Sequence, residues 1–66
     1  MQIIFNGEPR IVAPGTTIAA LLCELSLLPQ HVGVEVNLDL VPRSQHAERM
    51  LAEGDHLEVV TFVGGG

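Results

Sequence analysis

The chain has no tryptophan, no tyrosine and a single cysteine among its 66 residues. A lone thiol, Cys23, excludes an internal disulfide framework, the usual support of a secreted domain this small. Phe5 and Phe62 are the only aromatics, so any core has to be built from Ile, Val and Leu. Basic side chains are scarce as well, three against eight acidic ones, for a net charge of −5. That balance argues against nucleic acid, which demands a cationic surface, and against adsorption to an anionic membrane. It favours a partner with a basic docking face. The longest unbroken apolar run, Ile18 to Cys23, is far too short to span a bilayer. The opening MQIIFNGEPR shows no basic region ahead of an apolar one, so no signal peptide is expected. With the lone thiol, this points to the cytoplasm.

What is present suffices for one small domain, with 47% hydrophobic residues. Met1 to Phe5 reads as an apolar strand with Ile3 and Phe5 on one face. Asn6-Gly7 is the strongest two-residue hairpin signal, because a type I′ turn needs positive φ at both central residues. The return strand is expected from about Arg10 to Ala13, and Pro14-Gly15 breaks it. Thr16-Thr17 precede Ile18, and a threonine there is a good N-cap for the helix that follows. Ile18, Leu21, Leu22, Leu25 and Leu28 follow the spacing of one buried helix face, with Ala19, Ala20, Cys23 and Leu27 turned away. Pro29 stops the helix.

Val32, Val34 and Val36 alternate with Gly33, Glu35 and Asn37, the pattern of a half-buried strand. Asn37-Leu38-Asp39 makes a polar turn around one leucine, and Leu40-Val41 a brief extended piece. Gln45 to Leu51 suits a short helical turn with Met50 and Leu51 docking inward. Gly54-Asp55 turns the chain into a last strand, His56 to Val63, apolar on both faces. Such a strand is central in its sheet or keeps one face for a partner. The order of hairpin, helix, strand, short piece and strand describes an α+β, β-grasp arrangement: a mixed sheet of four to five strands under one main helix, with the last strand parallel to the first. The domain is expected to span residues 1–63, and residues 64–66 to form a flexible glycine tail.

The body offers little chemistry. His31, His46 and His56 lack metal-ligand spacing and read as surface or turn residues, so no metal site is expected. Cys23 sits mid-helix with no base in range and reads as an inert, partly buried thiol. No Gly-rich phosphate loop precedes a helix. No catalytic residue is expected in the chain itself, and no bound cofactor.

That leaves Gly64-Gly65-Gly66. At neutral pH a free α-carboxylate is an anion and a poor electrophile, so reaction at Gly66 requires activation, most simply adenylation by ATP. An activating enzyme must draw the terminus into a narrow, water-poor site, and glycines pass where side chains clash. Three extended residues reach about 10 Å, enough to separate the reacting carbon from the globular body.

Across nearly its whole length the chain resembles the ThiS family of small sulfur carriers in thiamin thiazole biosynthesis. The resemblance rests on MQIIFNGE, on PGTTIAALL and on VEVNLDLVPRSQHAERMLAEGDHLEVVTFVGGG, with Val41-Pro42-Arg43, Gly54-Asp55 and Gly65-Gly66 the most telling pieces. Leu38 departs from a family pattern that often has glycine in an Asn-Gly turn. The resemblance implies a ubiquitin-like β-grasp fold and a defined cycle. A ThiF-type, E1-like adenylyltransferase uses ATP and Mg²⁺ to convert Gly66 to an acyl-adenylate. Sulfur drawn from cysteine by a desulfurase displaces AMP and leaves a C-terminal thiocarboxylate, and a ThiG-type thiazole synthase takes the sulfur. Gly65 and Gly66 carry over from the family; Gly64 reads as spacer.

Two patches are candidates for partner contact. One is the outer sheet face, with Val60 and Phe62 if Val59 and Val63 face the helix. The other is the Cys23/Leu27 side of the helix. The sheet face is preferred because it runs directly into the tail. Competing readings are a MoaD-like carrier for molybdopterin synthesis and a ubiquitin-like interaction module without catalytic chemistry.

Overall fold

A computed structural model describes residues 1–62; Val63 to Gly66 lie outside the described residues, and with them the expected boundary between body and tail. Five strands, β1 (Gln2–Phe5), β2 (Glu8–Ile11), β3 (Val32–Val36), β4 (Asp39–Leu40) and β5 (His56–Thr61), form one sheet in the order β2-β1-β5-β3-β4. One helix, α1 (Ile18–Glu24), crosses it. β5 lies at the centre, parallel to β1 and antiparallel to β3. This is the expected β-grasp arrangement, with the full five strands.

Both hairpins turn on two residues in the left-handed region. Asn6 and Gly7 have φ of 49° and 84°; Asn37 and Leu38 have φ of 52° and 73°. Each pair is flanked by paired strand residues, Phe5 with Glu8 and Val36 with Asp39. The positive φ values match the right-handed twist of the strands they join. β2 starts earlier than expected, at Glu8, and takes in Pro9. Its place on the sheet edge explains why proline is tolerated there.

The core is aliphatic and lies between α1 and the inner sheet face. Ile3, Val12, Ile18, Leu21, Leu22, Val32, Val34, Val36, Val41, Leu51, Leu57 and Val59 are buried, with Met1, Phe5, Leu25 and Leu27 packed against them. Alternation does this work, since Val32, Val34 and Val36 face in while Glu35 faces out.

The helix begins as expected, the Thr17 hydroxyl accepting from the Ala20 N–H at 3.1 Å. It ends four residues earlier than the periodicity predicts. Ser26 adopts φ 60°, the Leu27 N–H donates to the Leu22 carbonyl at 2.9 Å, and the Ser26 N–H donates to the Cys23 carbonyl at 3.0 Å. These two bonds form a Schellman cap, which stops the helix and swings Leu27 back over the core. Leu27 is therefore half-buried and Leu28 exposed, the reverse of the expectation.

A second correction concerns residues 43–51, where only a short 3₁₀ turn forms, at Arg43–Gln45. Leu51 docks inward but Met50 is exposed, because Met50 bridges to Thr17 and its side chain points away from the core. His46 takes the inward place instead, 3% exposed, with its Nε2–H donating to the Val41 carbonyl at 3.1 Å. It was read as a surface residue; His31 and His56 are exposed.

β1 ends at Phe5, yet β5 continues. The Asn6 side chain extends the pairing: its Oδ1 accepts from the Val59 N–H at 2.7 Å and its Nδ2 donates to the Val59 carbonyl at 3.1 Å. Asn6→Ala removes both bonds and leaves two part-buried peptide groups without partners. The expected loss is about 2 kcal/mol of stability, with Asn6→Asp retaining the acceptor and losing less. Urea titration of the three proteins checks the order.

Candidate functional site: the outer face of the last strand

β5 divides its side chains between two environments. Leu57 and Val59 enter the core, whereas His56, Glu58 and Val60 face outward. Val60 and Phe62, the candidates from the sequence, are each 58% exposed. They share one shallow groove with Gly33, Glu35, Leu38, Leu40 and Glu58. A Cβ on Gly33 would meet the Phe62 ring at 3.5 Å and a Val60 methyl at 3.6 Å, so these two side chains cover the backbone of Gly33. Phe62 is further fixed by its N–H, which donates to the His31 carbonyl at 2.8 Å.

The groove also holds residues that the sequence reading did not assign. Leu38 and Leu40 are 86% and 71% exposed and come from the β3–β4 hairpin. Their signal was the two-residue spacing between Val36 and Asp39, which specifies a hairpin and places Leu40 beside Glu35. Glu35 and Glu58 are directly opposite each other in the β3–β5 register. Like charges in that relation repel. The one ion pair among the described residues, Arg10 with Glu24 at 3.6 Å, is elsewhere. The outer face thus combines exposed aliphatic and aromatic groups with two carboxylates lacking a cation.

The helix-side candidate is a second shallow depression, formed by Ala19, Cys23, Ser26, Leu27, Leu28 and Pro29. Cys23 is exposed rather than partly buried. Its neighbours are apolar or neutral. Val63, Gly64, Gly65 and Gly66 lie outside the described residues. Among the described residues no three His, Cys, Asp or Glu side chains gather as a metal site would require, and no helix is long and apolar enough to cross a membrane.

A model described as the ThiS family matches residues 3–66. The sulfur carrier protein ThiS of Escherichia coli is 32% identical over the full length of both chains. The chain belongs to the ThiS family. The crystal structure of the thiamine biosynthesis protein ThiS from Geobacter metallireducens superimposes with a TM-score of 0.85, at 30% identity and full coverage of both chains. Thiazole synthases of Paramagnetospirillum magneticum and Magnetococcus marinus are each 44% identical to the chain across its whole length. The chain spans only 20% of the length of those two synthases.

Glu58→Gln removes the repulsion with Glu35 while keeping side-chain size. A rise in Tm of about 2–4 °C is expected at low salt, shrinking at 1 M salt as screening takes over. Thermal denaturation in the two buffers measures it; an unchanged Tm at low salt would show that the carboxylates do not interact.

Proposed function

We propose that the chain is a sulfur carrier for thiamin biosynthesis, a protein co-substrate rather than a catalyst, whose working group is the α-carboxylate of Gly66. The observation that carries this reading is the ThiS family match, which extends through the last glycines to residue 66. An E1-like adenylyltransferase of the ThiF type joins the Gly66 carboxylate to the α-phosphate of ATP, with Mg²⁺, and pyrophosphate leaves. A desulfurase draws sulfur from cysteine as a persulfide, and a thiol reductant brings it to the sulfide level. That nucleophile forms a C–S bond at the same carbon and expels AMP. The product is a C-terminal thiocarboxylate. Its sulfur is nucleophilic and transferable, and a ThiG-type thiazole synthase accepts it. ATP and Mg²⁺ belong to the partner enzyme.

Gly65, with Gly64 as spacer, gives the terminus passage into both enzymes, because a side chain there would clash with a narrow channel. Val60 and Phe62 are the contacts that grip the body beside the tail. The cycle needs ATP and a reduced sulfur source, which places it in the cytoplasm. The relation to thiazole synthases favours the thiamin pathway over a MoaD-like role in molybdopterin synthesis.

Incubation with the adenylyltransferase, ATP, Mg²⁺ and a sulfur donor, followed by mass spectrometry, should show oxygen-to-sulfur exchange at Gly66. No exchange would leave an interaction module as the better description. Gly66→Ala should lower adenylation, read by pyrophosphate exchange, at least tenfold while leaving Tm within a degree or two of the parent. A stability loss as large as that of a core substitution would refute the assignment of Gly66 as purely functional.

A further inference from the structure

The two hairpins pose the same backbone problem and solve it differently. In the β1–β2 hairpin the second turn position is Gly7, at φ 84°. In the β3–β4 hairpin it is Leu38, at φ 73°. For leucine this region crowds Cβ against the following carbonyl, a cost glycine avoids. The strain is not offset by packing, since Leu38 is the most exposed of the large apolar side chains that stand out from the described surface. Neither backbone nor core accounts for a leucine there. Strain retained without an internal return points to a role outside the fold.

The surroundings of Leu38 state the chemistry of its partner. It stands at one side of the groove that Leu40, Val60 and Phe62 line, with Glu35 and Glu58 between them. A complementary surface has an apolar pocket for the leucine and Lys or Arg on its rim for the two opposed carboxylates. We propose that Leu38 is an anchor and specificity residue through which the outer sheet face docks a thiazole synthase. The choice of synthase follows from the two synthases that carry a segment like this whole chain within their own polypeptide. The inference rests on the sulfur-carrier reading and adds to it a residue of the β3–β4 hairpin.

The test uses the full chain, its Leu38→Gly and Leu38→Ala variants, and the thiazole synthase of the same organism. Leu38→Gly relieves the turn and removes the anchor: Tm should rise by about 4–8 °C, while Kd for the synthase weakens about tenfold or more. Leu38→Ala keeps a Cβ in the strained region, so affinity should fall similarly without that rise in Tm. A Leu38→Gly protein that binds the synthase as tightly as the parent overturns the anchor. So does weakening confined to the adenylating enzyme, or a self-associated parent in sedimentation that Leu38→Gly makes monomeric. Sulfur loading at Gly66 is followed in the same samples. A parent that loads sulfur while Leu38→Gly keeps full synthase affinity defeats only the anchor; a parent that neither loads nor binds defeats the carrier reading as well.

Discussion

The fold depends on how its central strand is held beyond the point where a neighbour ends. β1 pairs with β5 only at Ile4 with His56 and Phe5 with Leu57 before the chain turns away. The Asn6 amide then stands in for a peptide group and bonds both polar atoms of Val59. The other hairpin repeats the device: Asn37 Oδ1 accepts from the His56 N–H at 3.0 Å, and its Nδ2 donates to Asp55 Oδ1 at 3.1 Å. Asparagine serves twice at each turn, because it tolerates positive φ and carries an amide. β5 is clamped near its beginning and beyond its middle by the two turns, and β3 accompanies it to Thr61. The body therefore delivers the chain to Phe62 from a fixed direction.

The packed core and the exposed apolar groups lie on opposite sides of the sheet. The inner face holds small aliphatic groups that interdigitate with Ile18, Leu21 and Leu22 of α1. Neither phenylalanine is fully buried, and Phe62 spreads over Gly33 on the outside. The outer face keeps features that folding alone disfavours: exposed leucines, opposed carboxylates and a leucine in a glycine conformation. Each lowers the stability of the isolated domain a little. Their concentration in one groove is more informative than any one of them.

Much of this was legible in the residues. Asn6-Gly7 specified its hairpin, the valine alternation specified β3, and an apolar run on both faces specified the place of β5. The failures have local causes. The leucine period ran on to Leu28, but Ser26 took the left-handed cap position usually marked by glycine, so nothing in the pattern announced the end of α1. Between Pro42 and Leu51 the chain follows neither helix nor strand period, and the choice between Met50 and His46 as the inward group depended on the Thr17 bridge. Asn37-Leu38-Asp39 reads as a polar turn; that Leu38 carries the positive φ of a two-residue hairpin shows only in the backbone, because leucine, unlike the glycine of an Asn-Gly turn, gives no signal for it. The outer groove is assembled from β3, β4 and β5, and only the sheet register brings Leu40, Glu35 and Glu58 into one row. Val60 and Phe62 could be assigned to one face because they lie two residues apart, at the end of β5 and just beyond it. The chemistry proposed for the terminal glycines rests on the sequence and the resemblance, since those residues lie outside the described ones.

A sheet with one helix can bury only one of its faces. Among the described residues nothing covers the other face, and an uncovered face must be polar or suit a partner. This face carries both kinds of surface, polar at Glu35 and Glu58 and apolar around them. That mixture suits a protein that docks and leaves. A wholly apolar face would hold a partner too long or associate with itself, while a wholly charged one would lack the desolvated anchors that give specificity. The groove lies close to where the described strand ends and holds two carboxylates among its apolar groups, so a partner of the proposed kind would be steered by charge and held by a few apolar contacts. The proposed carrier, which would visit more than one enzyme, needs that balance, and a sheet with one uncovered face provides it.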